Sequence, residues 1–180
     1  MSTQGLAEFQ DRYTTLVVAA CEWRAMQANP EALADRVFAA LRDHREPPDL
    51  RLAYQALRRV VFDSYTEYSS RRSLIDTLRG VAEPVANAPQ DSAEEKWLRE
   101  AISRLPERDR DVLQMAYWDQ LAESELAEAL GLDAAAVRDR VERATAKYVG
   151  VARRKDPSVG PEAVPAIFRT LKPGLRSRWE

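Results

Sequence analysis

The sequence predicts an all-α protein made of two small helical domains joined by a flexible linker, the second domain a helix-turn-helix. Three observations carry this. Apolar residues recur at three- and four-residue steps through most of the 180 residues. One aperiodic stretch with two prolines, residues 80–92, interrupts them. Gly131-Leu132-Asp133 separates two short amphipathic segments. Only six glycines and four phenylalanines occur, and runs of Val, Ile and Thr that would make strands are scarce.

In the first domain, residues 1–79, Leu6, Phe9, Tyr13, Leu16, Val17 and Ala20 mark a helix reaching about Arg24. Asn29-Pro30-Glu31 starts the next, because proline in the first turn sacrifices only an N–H that would have no helical partner. Its stripe is Leu33, Val37, Phe38 and Leu41, and His44 to Pro48 ends it. Asp49 is the expected N-cap of a third helix with the stripe Tyr54, Leu57, Val61 and Tyr65. A further turn from Leu74 to Leu78 stops at Gly80. Residues 80–92 read as the linker.

The second domain is expected over 93–149. Trp97, Leu98, Ile102 and Leu105 give a short helix, and Pro106 opens another that carries Val112, Leu113, Ala116 and Tyr117. Two further helices span 123–130 and 134 to about 149. Gly131 supplies the left-handed residue that closes the first, and Asp133 caps the second. Such a turn builds a helix-turn-helix, whose second helix can enter the DNA major groove, or a plain helical hairpin. Residues 150–180 are a basic tail with prolines at 157, 161, 165 and 173. There Val164, Ile167, Phe168 and Leu171 allow one or two amphipathic turns, with Phe168 and Trp179 as possible anchors of a docking segment.

Composition excludes several functions. One cysteine, Cys21, permits no internal disulfide, and with one histidine, His44, no Cys/His zinc cluster can form. Cys21 lies on an apolar helical face and His44 in a polar loop, which suits a buried thiol and a solvated imidazole better than a catalytic pair. No phosphate-cradling glycine loop is present. We therefore expect no enzyme, cofactor or metal. No apolar run reaches membrane-spanning length and no signal peptide precedes Leu6, so a cytoplasmic location is expected.

Charge is distributed unevenly. The net is −3 over 1–49, +3 over 50–79, −2 over 80–92, −4 over 93–149 and +4 over 150–180. The third helix interleaves Arg51, Arg58, Arg59, Arg71 and Arg72 with Tyr54, Tyr65 and Tyr68. Arginine can follow phosphates while exposed aromatics stack on unpaired bases, although tyrosines at helical spacing also serve as core.

Leu105 to Leu113 is similar to the LPxxxRxVxxL opening of region 4 in bacterial sigma factors. Leu121 to Leu132, followed by Ala136 to Ala144, resembles the same family's helix-turn-helix. Placed behind a helical domain and a linker, the pattern resembles the extracytoplasmic-function group, which keeps only regions 2 and 4. The N-terminal half is similar more loosely. Phe9 to Tyr13 resembles the opening segment, Glu31 to Phe38 the segment that docks on polymerase, and Leu52 to Tyr65 the promoter-melting helix.

The resemblance implies a sigma factor that binds the β′ coiled coil and β flap of core RNA polymerase and promoter DNA, with an anti-sigma factor as a further partner. Docking would use Leu33, Asp35, Arg36, Phe38 and Arg42. The downstream promoter element would meet Tyr54, Arg58, Arg59, Asp63, Arg71 and Arg72. The upstream element would meet Ala134, Ala136, Arg138, Asp139, Arg140 and Arg143. The chain departs from the family pattern at several of these positions. Asp35-Arg36 replaces Gln-Glu, Arg42 stands for tryptophan, Arg59 for asparagine, and alanines fill 134–136 where small polar residues are usual. Those departures also suit a degenerate sigma-like protein that binds an anti-sigma factor or other regulator without starting transcription. A helix-turn-helix repressor would need a sensor or oligomerisation element that the sequence does not display.

Overall fold

The structure is a computed structural model, and its described residues are 3–24, 28–79 and 92–171, with side chains from Gly5 onward and up to Ser69 in the first half. Every regular element among them is helical. They divide into two compact units, the first drawn from the N-terminal half and the second beginning at Asp91.

The first unit is three helices: α1 (Thr3–Arg24), α2 (Pro30–Arg42) and α3 (Leu50–Arg79). Two side-chain caps fix where α2 and α3 begin. Asn29 Oδ1 accepts from Ala32 N at 2.8 Å, and Asp49 Oδ1 from Leu52 N at 2.7 Å. Each cap satisfies an N–H that the helix itself cannot pair. The 3–4 spacing then turns Phe9, Tyr13, Val17, Val37, Phe38, Leu41, Leu57 and Val60 into one buried core. Cys21 is wholly buried there. α3 runs unbroken to Arg79, where periodicity alone suggested a separate turn at 74–78.

The second unit contains α4 (Ala93–Ser103), α5 (Glu107–Tyr117), α6 (Glu123–Leu130), α7 (Ala134–Ala152), a single 3₁₀ turn at Pro161–Ala163 and α8 (Val164–Thr170). Ser92, expected at the end of the linker, is the N-cap of α4. Its Oγ accepts from Glu95 N at 3.1 Å while Glu95 Oε2 accepts from Ser92 N at 2.9 Å, a reciprocal capping box. The remaining linker residues, 80–91, lie outside the described residues.

Gly131 ends α6 with φ 63° and ψ 39°, and Asp133 Oδ1 accepts from Ala136 N at 2.8 Å to start α7. α4, α5, α6 and α8 all pack on α7, burying Val137, Ala144, Tyr148, Val149 and Ala152.

The C-terminal residues differ from the tail expected over 150–180. α7 continues to Ala152, and residues up to Leu171 fold into the second unit, burying Val159, Val164, Phe168 and Leu171. Pro157, Pro161 and Pro165 do forbid a long helix through the described residues. A 3₁₀ turn with Pro161 at its start and a short helix with Pro165 in its first turn accommodate two of them. Trp179 lies outside the described residues.

A side chain at a left-handed position carries a steric penalty that glycine avoids. Gly131→Ala is therefore expected to destabilise the second unit by about 1 kcal/mol in urea unfolding, with Gly131→Asn costing less.

Candidate nucleic-acid interface

In the second unit the helical period sorts the side chains of α7. Val137, Ala144 and Tyr148 face the core, while Ala136, Asp139, Arg140, Arg143 and Lys147 lie along one flank of the helix, between the core and solvent. Ala134, Asp139 and Arg143 are exposed, and Ala136 and Arg140 half-buried. The arginines of this flank are therefore presented to solvent on a rigid, capped helix. Arg143 Nε donates to Asp139 O one turn earlier, at 3.1 Å.

Arg138, predicted alongside them, stands apart. It projects from the flank of α7 and pairs with Glu123 at the start of α6. This pair rims an apolar groove of about 370 Å³ whose walls include Tyr117, Leu121, Leu126, Val137, Val141 and Thr145. Four of the six predicted upstream contacts, Ala136, Asp139, Arg140 and Arg143, thus share one flank of α7, whereas Ala134 lies one turn before Arg138 on the other side and Arg138 pairs with α6.

Lys147 is the second cation with a structural partner. Its Nζ donates to Asp109 Oδ2 at 2.6 Å, tying the first turn of α5 to the middle of α7. The Asp109 carboxylate is nearly buried, with its side chain 12% exposed, whereas the lysine stays largely in water. Sequence reasoning left this tie out because Asp109 lies on the polar side of an N-terminal helical turn, where an acid is expected for the helix dipole alone.

The core beneath holds Tyr148, wholly buried. Burial disfavours the phenolate and pushes its pKa above the ordinary tyrosine value, so the phenol is neutral across the physiological range.

The first unit presents a different surface. Tyr54, predicted to meet DNA, is a core residue at 3% exposure; its place in the Tyr54–Leu57 stripe turns it inward. Arg58 and Arg59 are exposed and Asp63 half-buried. Arg58 Nε donates to Tyr54 O at 3.4 Å. Arg71 and Arg72 sit on α3, with side chains outside the described residues.

Beyond Val60 the helix carries Phe62, Tyr65 and Tyr68 at 71%, 52% and 38% exposure. Tyr65 donates its hydroxyl to Arg24 O at 2.8 Å. Phe62 was absent from the predicted contacts. The signal was available, since five residues after Leu57 a helical side chain points away from the buried stripe.

The docking set divides in the same way. Leu33 and Phe38 are core, at 3% and 4% exposure, because they form the apolar stripe that holds α2 in the bundle. Asp35 and Arg42 are exposed. Arg36 pairs with Glu67 of α3 at 3.3 Å, both side chains in contact with water. The exposed members form a polar surface of α2 that the two buried ones support from beneath.

Among the described residues no group of three or more His, Cys, Asp and Glu side chains could hold a metal ion. No described helix is long and apolar enough to cross a membrane.

Residues 95–147 match the family described as Sigma-70, region 4. An RNA polymerase sigma-E factor from Streptomyces coelicolor is 32% identical over 101 residues, 55% of this chain and 57% of that protein. One of the same name from Streptomyces antibioticus is also 32% identical over 101 residues, covering 55% and 56%. The RNA polymerase sigma-F factor of Bacillus subtilis is 32% identical over 111 residues, 59% of this chain and 40% of that one. No solved structure gives a significant match. The chain spans about half the length of the curated relatives it matches.

A nearly buried carboxylate that loses its counter-charge is costly, so Lys147→Ala is expected to destabilise the second unit by about 1–2 kcal/mol. Asp109→Asn should recover part of that loss in the double variant. A double-mutant cycle in urea checks this, with a coupling of about 1 kcal/mol as the expected result.

Residues 95–147, which contain the helix-turn-helix, are thus similar to the sigma-70 region 4 family, and the relatives that share sequence with about half of the chain are RNA polymerase sigma factors.

Proposed function

We propose that this protein is an alternative sigma factor, which binds core RNA polymerase and directs it to promoters without chemistry of its own. The observation that carries the reading is one flank of α7, where Arg140 and Arg143 follow Ala136 on the second helix of a helix-turn-helix similar to region 4, with Ala134 in its first turn. Small side chains at the start of that helix let the backbone approach the major groove, and arginines one turn on can reach guanine edges or phosphates.

The acids that share this surface lower its affinity for free DNA. Asp139 lies within the exposed face, and Lys147 is already bound to Asp109. The second unit therefore reads the upstream promoter element only when polymerase supplies most of the grip, because phosphate neutralisation dominates DNA affinity.

The first unit takes the downstream element. Arg58, Arg59 and Asp63 lie close to Phe62 on α3, and cations beside an exposed ring suit a strand whose bases have left the stack. Arg71 and Arg72 extend the basic run along the same helix. Asp35, Arg36 and Arg42 form the polar surface on α2 for the β′ coiled coil of polymerase, and the second unit meets the β flap. An anti-sigma factor would compete for these surfaces.

The same acids and the charge change at Asp35-Arg36 favour a second reading, a sigma-like protein that binds an anti-sigma factor or another regulator without starting transcription. Run-off transcription with core polymerase and genomic promoter fragments separates the two. New start sites that depend on this protein support the sigma factor, and failure to bind core polymerase supports the mimic.

Within the sigma reading, Arg143→Ala is expected to weaken promoter binding by the holoenzyme about tenfold and to lower its salt slope by about 1. Phe62→Ala should leave polymerase binding intact and reduce open-complex formation by about tenfold or more, as loss of one base-stacking platform predicts.

A further inference from the structure

The groove beside α6 and α7 is open to solvent although its walls are apolar. Tyr117, Leu121, Leu126, Val137 and Val141 line about 370 Å³, room for a large aromatic side chain. Thr145 lines the same groove, is only 7% exposed, and its hydroxyl makes no hydrogen bond among the described residues. A nearly buried hydroxyl without a partner favours any group that brings it a donor. The rim is acidic. Glu142 is exposed with no ion-pair partner among the described residues, and Glu123 shares its carboxylate with Arg138. The occupant these features fit is a large apolar ring with an N–H or O–H at its edge and positive charge beside it.

The chain itself carries that combination. Residues 172–180 contain Trp179, whose indole supplies an apolar body and one N–H donor, next to Arg178 and near Arg176 and Lys172. Against these three cations stands one acid, Glu180, whereas residues 93–149 carry a net −4. The point of attachment is close to the groove. Tyr117, one of its walls, also packs against Phe168 of α8 with ring centroids 5.7 Å apart, and α8 ends at Thr170. Trp179 follows Leu171 by eight residues, a reach of up to about 26 Å in an extended chain. That is several times the width of the one tyrosine to be passed, and Pro173-Gly174 is a turn-forming pair that suits the reversal.

We propose that segment 172–180 docks on the second unit of its own chain, with the Trp179 indole in the groove, its N–H toward the Thr145 hydroxyl, and Arg176 and Arg178 toward Glu142 and Glu123. A tether this short holds the indole at a local concentration on the order of millimolar, so weak contacts suffice. The docked segment closes the groove to other chains and offsets part of the unit's negative charge. The docking stands independently of the sigma-factor reading.

Methyl-resolved NMR of the full chain tests this directly, because an indole ring shifts the resonances of methyl groups packed against it. Trp179→Ala is expected to move the signals of Leu126, Val137 and Val141. Those of Leu113 in the core of the second unit and Val37 in the core of the first should stay in place, which shows that the fold is intact. Reversing both arginines, Arg176→Glu with Arg178→Glu, is expected to lower the docked fraction about two- to fivefold, as loss of exposed ion pairs predicts. Glu142→Arg in that background is expected to recover part of the loss. Groove methyls that stay in place without Trp179 overturn the proposal. So does movement that occurs only at concentrations where chains associate, since the occupant is then a second copy. Arginine reversal that leaves the Trp179-dependent shifts unchanged, or that Glu142→Arg does not relieve, overturns the placement of the arginines on the acidic rim.

Discussion

The second unit depends on the burial of one face of α7. Four other helices pack on it, and Arg140 and Arg143 lie along the flank between the buried face and solvent, Arg140 half-buried and Arg143 exposed. Burial of Val137, Ala144, Tyr148, Val149 and Ala152 fixes the rotation of the helix about its axis, and rotation decides which cations are presented. The left-handed Gly131 and the Asp133 cap set where the helix starts.

Electrostatics refine that surface more than they stabilise it. Exposed ion pairs contribute little on their own, and the pair Arg138–Glu123 is of that kind. Its consequence is geometric, since it commits Arg138 to the α6 side of the groove and away from Arg140 and Arg143. The Lys147–Asp109 pair joins a nearly dry carboxylate to a wet ammonium and so carries more of the packing between α5 and α7. Two of the four cations along α7 thus pair inside the unit, which makes the remaining two, Arg140 and Arg143, the proposed DNA contacts.

Much of the fold was legible because its determinants are local. Asn29, Asp49, Gly131 and Asp133 act within three or four residues, and the structure uses all four as helix boundaries. Less of the candidate site was legible, because exposure depends on which helical face finds a partner. Tyr54, Leu33 and Phe38 have the residue types of contact positions, yet packing takes them into the core. Phe62 has the residue type of a core position and is left outside. The folding of residues 153–171 onto α5 and α7 depends on aromatic contacts across twenty or more residues of sequence, among them Tyr148 with Phe168 and Trp118 with Phe168. Periodicity within a short segment contains no record of such contacts.

The central claim is that the flank of α7 carrying Arg140 and Arg143 meets promoter DNA. Site-specific cross-linking tests it most directly, with a photoreactive residue placed at 138, 140, 142 or 143 in the complex with polymerase and promoter. The account predicts cross-links to upstream DNA from 140 and 143, and none from 138 and 142 on the groove side. Cross-links from 138 and 142 alone, or DNA protection with none from α7, would contradict it.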